Sequence, residues 1–151
     1  MLDLFAGSGS LGIEALSRGA AAAVFVDSSR EAAATIVQNL RQFGLEGRGR
    51  VVVSEATRAL AELGNQREHF DLVFVDPPFK SDLSAEVLAK LARHDLIDSH
   101  GIVIVRQFHR APTLQVAEFE CANQATLGDH RIALYRRLVG AAVGDVTVHG
   151  E

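Results

Sequence analysis

The sequence predicts an α/β protein built on a doubly wound, mostly parallel sheet with an antiparallel strand pair at one edge. Three observations carry this. Short apolar runs alternate with stretches of helical spacing along most of the chain, the pattern of strand–helix–strand crossovers. Runs such as Val24-Phe25-Val26 and Val51-Val52-Val53 are continuous rather than alternating, as in strands covered on both faces. The first strand also passes into the first helix through Gly7, Gly9 and Gly12, a turn beside which such sheets hold a ligand.

In chain order, Met1 to Phe5 reads as a short buried strand. Gly7, Gly9 and Gly12 turn the backbone, and Leu11-Gly12-Ile13-Glu14-Ala15-Leu16 opens a helix. Ala22 to Asp27 is the second strand. Ser28 or Ser29 can cap the next helix, which runs through Ile36, Val37 and Leu40 and stops at Gly44. Arg50 to Ser54 is a third strand with Val51-Val52-Val53 as its buried run, and Thr57 to Leu63 a short helix ending at Gly64. Phe70 to Val75 is the fourth strand, broken by Asp76-Pro77-Pro78-Phe79. Leu83 to Ala92 has helical spacing, and Gly101 leads into the fifth strand, Ile102 to Val105. Thr113 to Glu120 and Arg131 to Leu138 read as two strands joined through Gly128-Asp129. One domain is expected over residues 1–138, with a flexible tail over 139–151.

The chain has 151 residues, 48% hydrophobic, enough for one domain with a sizeable core. No apolar run is long enough to span a bilayer and no stretch looks like a signal peptide, so the expected location is the cytoplasm, without a membrane partner. The one cysteine, Cys121, excludes an internal disulfide. It reads as a structural thiol, and no metal site is expected. A net charge of −4 argues against a surface given over to coating nucleic acid. A local basic face could still come from Arg48 and Arg50, from Arg106, His109 and Arg110, or from His130, Arg131, Arg136 and Arg137.

Crossover handedness brings the ends of strands one to four to one rim. The glycine spacing alone fits a nicotinamide dinucleotide as well as other nucleotide-like ligands. Asp27, ending strand two ahead of Ser28, can accept hydrogen bonds from ribose hydroxyls or serve as a helix cap. Glu55 with Ala56 can meet an adenine, or simply begin a helix. Asp3 inside a buried strand needs partners. It would either add negative field at a cationic ligand or be satisfied by backbone N–H groups.

Asp76-Pro77-Pro78-Phe79 discriminates among the ligands. Two prolines stiffen the backbone beyond the strand, leaving a carboxylate, carbonyls and an aromatic ring beside the glycine turn. An amine on a ring is a poor nucleophile, because its lone pair is delocalised. Asp76 and a carbonyl of Pro77-Pro78 can each accept one of its hydrogens and aim the nitrogen, with Phe79 stacking on the base. That suits methylation of a planar amine better than hydride transfer.

The stretch Leu2 to Ala20, containing Asp3-Leu4-Phe5-Ala6-Gly7-Ser8-Gly9-Ser10-Leu11-Gly12, resembles the first motif of the bacterial 16S rRNA guanine-N2 methyltransferases. Phe70 to Phe79 is similar to their catalytic motif, and Asp27, Gln38-Asn39-Leu40 and Gly128-Asp129…Tyr135-Arg136 follow in the same order. The resemblance implies a seven-stranded Rossmann-like methyltransferase fold with S-adenosylmethionine as cofactor. It further implies N2 methylation of a guanine in 16S rRNA or a small-subunit assembly intermediate. It assigns Asp3, Phe5, Ala6, Gly7, Ser8, Gly9, Asp27, Ser28, Glu55 and Ala56 to the cofactor, and Asp76, Pro77, Pro78 and Phe79 to the guanine. Members carry a further basic segment before the first strand, which this chain is expected to lack. It also departs from the family at Arg106, where an acid is usual, and at Leu127, where an aromatic is common. A cofactor-binding module without activity, and amine methylation of DNA or protein, are the alternatives.

Overall fold

The computed structural model describes residues 1–78 and 83–138. Its elements follow as β1 (Leu2–Leu4), α1 (Ser10–Ser17), β2 (Ala23–Asp27), α2 (Arg30–Gln42), β3 (Gly49–Val53), α3 (Ala56–Asn65) and β4 (Phe70–Val75). After these come α4 (Leu83–Arg93), β5 (Ile97–Phe108), β6 (Phe119–Leu127) and β7 (His130–Arg137). Among the described residues they form a seven-stranded sheet in the order β3-β2-β1-β4-β5-β7-β6. The first five strands are parallel, while β7 runs antiparallel to β5 and β6 antiparallel to β7. Strand order reverses between β1 and β4, the point where an open α/β sheet leaves a crevice at the carboxyl ends of its strands.

Alternation along the short β1 divides the core into its two layers. Leu2 and Leu4 pack with Val24, Val26, Val73 and Val75 against α3 and α4 residues such as Leu60, Leu63, Leu88 and Leu91. Phe25 turns the other way and packs with Leu16 of α1 and with Ile36 and Leu40 of α2. Asp3 pairs in register with Phe25 and Phe74, so its carboxylate points towards α1. Gly12 is needed there by close approach, since a Cβ would lie 2.3 Å from the Phe25 ring.

Several sequence expectations need correction. Val53 is 49% exposed and Val51 and Val52 only partly buried, because β3 is the sheet's outer edge and has a neighbour on one side only. The third helix runs past Gly64 to Asn65, where His94 packs into the space beside the glycine. Ser29, not Ser28, caps α2, its hydroxyl accepting from the Ala32 N–H at 3.1 Å. Val37 lies off the buried stripe of that helix. The fifth strand begins five residues earlier than its apolar run, with a register irregularity against β4. The first strand of the antiparallel pair is Phe119–Leu127 rather than 113–120, and its burial pattern is almost wholly exposed. An exposed edge strand carries no hydrophobic run by which sequence could place it. Cys121 lies exposed on β6, not packed as a structural thiol. The expected tail over 139–151 lies outside the described residues, as does Phe79.

Candidate active site

The glycine turn is closed by the chain's own carboxylates. Asp27 Oδ2 accepts from the Gly7 N–H and Oδ1 from the Ser29 N–H, both at 2.9 Å. Asp3 Oδ2 accepts from the Gly12 N–H at 3.0 Å. The Gly7 and Gly12 N–H groups of this turn are therefore already occupied. Asp3 is thus satisfied by a backbone N–H, as its structural reading expects, while Asp27 bridges the turn and Ser29 and leaves the capping of α2 to Ser29. Each Asp27 oxygen still has a lone pair for a further donor. From α2, Asn39 Nδ2 donates to the Ser8 carbonyl at 3.0 Å and tethers the turn. Phe5 adopts φ +58°, a left-handed conformation strained for a bulky residue, and it swings the chain out of β1.

Two cavities open on either side of this turn. The first, of about 470 Å³, is lined by Phe5, Asp27, Ser28, Glu55, Ala56 and Asp76 among others. Five of the predicted cofactor residues thus share one space with the predicted catalytic acid. Glu55 is the N-cap residue of α3, yet its carboxylate makes no capping hydrogen bond. The second cavity, about 530 Å³, includes Ala6, Leu11, Leu127 and His130 in its lining. Gly7, Ser8 and Gly9 shape the turn without lining either of these two cavities, and Asp3 is buried beneath it. Phe5, Asp76 and Arg106 line both.

Asp76 follows the last residue of β4, and the register Val75↔Val105 sets it beside Arg106. Arg106 Nη1 lies 3.4 Å from Asp76 Oδ2, and Nη2 lies 3.5 Å from His130 Nε2. Burial pushes the Asp76 carboxyl above the ordinary carboxylate range, while the charges of Arg106 and His130 pull it back. Burial raises Asp3 further, to about 7; the Gly12 hydrogen bond opposes this, and the nearby Asp76 and Asp27 charges reinforce it. Asp27, which lines the first cavity, supplies a negative group suited to a cation. Pro77 and Pro78 also line the first cavity, giving the stiff platform expected there.

Sequence reasoning missed the pairing of Arg106 with Asp76 and the approach of His130 to Arg106. Their one signal was position, at the end of a strand and beside the Gly128-Asp129 turn. The candidate basic residues divide. Arg48 donates to the Ala20 and Leu16 carbonyls, and Arg50 pairs with Glu68. Arg137 pairs with Asp95. Arg131 donates to oxygens of Gln107, His109, Ala111 and Pro112 and holds the segment after β5. Arg106, His109 and Arg110 are exposed; Arg106 lines the second cavity, whereas His109 and Arg110 line a separate one with Phe108, Ala111 and Asp129.

Comparison with known proteins matches residues 1–136 to the family described as Conserved hypothetical protein 95. The chain is 34% identical over 138 residues to ribosomal RNA small subunit methyltransferase D of Escherichia coli (strain K12), covering 90% of this chain and 67% of that one. The Haemophilus influenzae protein of the same name is 28% identical over 135 residues, with 89% and 70% covered. Among solved structures, a conserved hypothetical protein of Streptococcus pyogenes superposes with a TM-score of 0.84 at 33% identity, covering 91% of this chain and 84% of that one.

Proposed function

The chain belongs to the family described as Conserved hypothetical protein 95, and on that premise we propose that it is an S-adenosylmethionine-dependent methyltransferase acting on the N2 amine of a guanine in small-subunit rRNA. One observation carries the reading: Asp76 stands where two cavities meet, one rimmed by Asp27 and Glu55 and the other by Leu127 and His130. The first suits the cofactor. Its donor-hungry rim matches ribose hydroxyls at Asp27 and an adenine amine at Glu55. The Asp27 carboxylate on that rim also suits a positively charged ligand. When bound, S-adenosylmethionine supplies an electrophilic methyl group at its positive sulfur centre.

The remaining work falls to the chain's own residues. Asp76 and a carbonyl of the Pro77-Pro78 segment each accept one N–H of the guanine amine, which aims its lone pair along the line of transfer. As the N–C bond forms the nitrogen becomes acidic. Asp76, held above the ordinary carboxylate range by burial, takes up the proton lost. A small-subunit rRNA substrate places the reaction in the cytoplasm, on free rRNA or an assembling subunit.

The test offers bare 16S rRNA, small ribosomal subunits, duplex DNA and a protein extract to the enzyme with methyl-labelled cofactor, followed by nucleoside analysis. The expected product is N2-methylguanosine from one of the two rRNA arms. Label confined to DNA or protein, or a chain that binds NAD and not S-adenosylmethionine in calorimetry, would overturn the proposal.

A further inference from the structure

We propose that Arg106 reads the O6 atom of the target guanine and so sets base specificity at the site; this rests on the guanine reading above. The β4–β5 register places the Arg106 guanidinium and the Asp76 carboxylate side by side, 3.4 Å apart, on the wall shared by both cavities. Arg106 is 42% exposed and carries five N–H donors. Its side-chain contacts among the described residues, to Asp76 and His130, lie at 3.4 and 3.5 Å, long for hydrogen bonds. The group is therefore poised beside the acid rather than consumed by it.

The wall thus reads donor, acceptor, acceptor: an Arg106 N–H, then the two oxygens of Asp76. Guanine presents the complement along its Watson–Crick edge: the O6 acceptor, the N1–H donor and the N2 amine to be methylated. A carboxylate bridging N1–H and N2–H leaves O6 facing the neighbouring guanidinium. In adenine or cytosine the atom beside the amine is a bare ring nitrogen, whose lone pair would meet the second Asp76 oxygen. A single arginine N–H on guanine O6 falls at the low end of what a bidentate arginine on a base edge discriminates, roughly a five- to tenfold preference over a base that lacks the acceptor.

The test is an internal competition. A 16S rRNA transcript is made with a small fraction of guanosine replaced by 6-thioguanosine, which keeps N1–H and N2–H but puts a weak sulfur acceptor in place of O6. After partial methylation and digestion, the ratio of N2-methylguanosine to its 6-thio counterpart gives the relative kcat/KM. Wild type is expected to favour guanosine by roughly threefold to tenfold. Arg106→Met should bring the ratio close to that of the bases supplied, with slower transfer to guanosine, and Arg106→Lys should restore much of the preference. The same bias in Arg106→Met as in wild type, or no bias in wild type, would overturn the role of Arg106 alone. A wild-type enzyme that methylates neither base would overturn the guanine reading, and this inference with it.

Discussion

Asp3 is the residue whose environment is least ordinary. It is 1% exposed, and its carboxyl is raised from 3.8 to about 7, chiefly by burial. Between those values the native state keeps a proton that the unfolded chain has lost. Native protein therefore binds more protons, and stability falls as pH rises across that interval. Asp3→Asn keeps an oxygen for the Gly12 N–H and removes the titration. Thermal denaturation from pH 4 to 7 should show a flatter stability profile in that variant, and an unchanged slope would refute the assignment. Asp3→Ala instead strands the buried Gly12 N–H and should cost about 1–3 kcal/mol. Asp27 was legible as a functional candidate from its strand-end position. That its two oxygens meet the Gly7 and Ser29 N–H groups could not be read, because those bonds depend on how the turn folds back.

At the scale of elements, the glycine turn is held by α2 as well as by its own helix. Asn39→Ala removes the tether to Ser8 at an exposed position. It should weaken cofactor binding a few-fold in calorimetry while lowering stability by no more than about 1 kcal/mol. Gly12→Ala tests packing, since the added methyl meets the buried Phe25 ring. It should destabilise by about 1–3 kcal/mol in denaturant titration. Gly7→Ala finds open space but a φ of +59°, and should cost about 1–2 kcal/mol from backbone strain alone. A Gly12→Ala variant as stable as wild type would contradict the packing assigned to α1.

Across the whole molecule, what the sequence made legible was what burial imposes. Strands β2 and β4 carry apolar runs because helices cover both their faces, and their bounds, with those of β1, were read to within two residues. At the edges the pattern misled for the converse reason: β3 was placed to within one residue but its valines are less buried than their run implies, and β6 was misplaced. β3 has a neighbour on one side only, and β6 is polar and exposed along most of its length, so neither obeys the pattern of a covered strand. Half of the site followed from the parallel crossovers, which carry Asp27, Glu55 and Asp76 to one rim. The Arg106–Asp76 pair did not follow, because it depends on the register of β4 against β5.

The central claim is that Asp76 aims the amine without holding the cofactor. Its most direct test compares wild type and Asp76→Ala in single-turnover methyl transfer to rRNA, with S-adenosylmethionine affinity measured alongside. The account predicts transfer reduced by roughly a thousandfold or more, with affinity unchanged within a few-fold. A normal transfer rate in Asp76→Ala would contradict it.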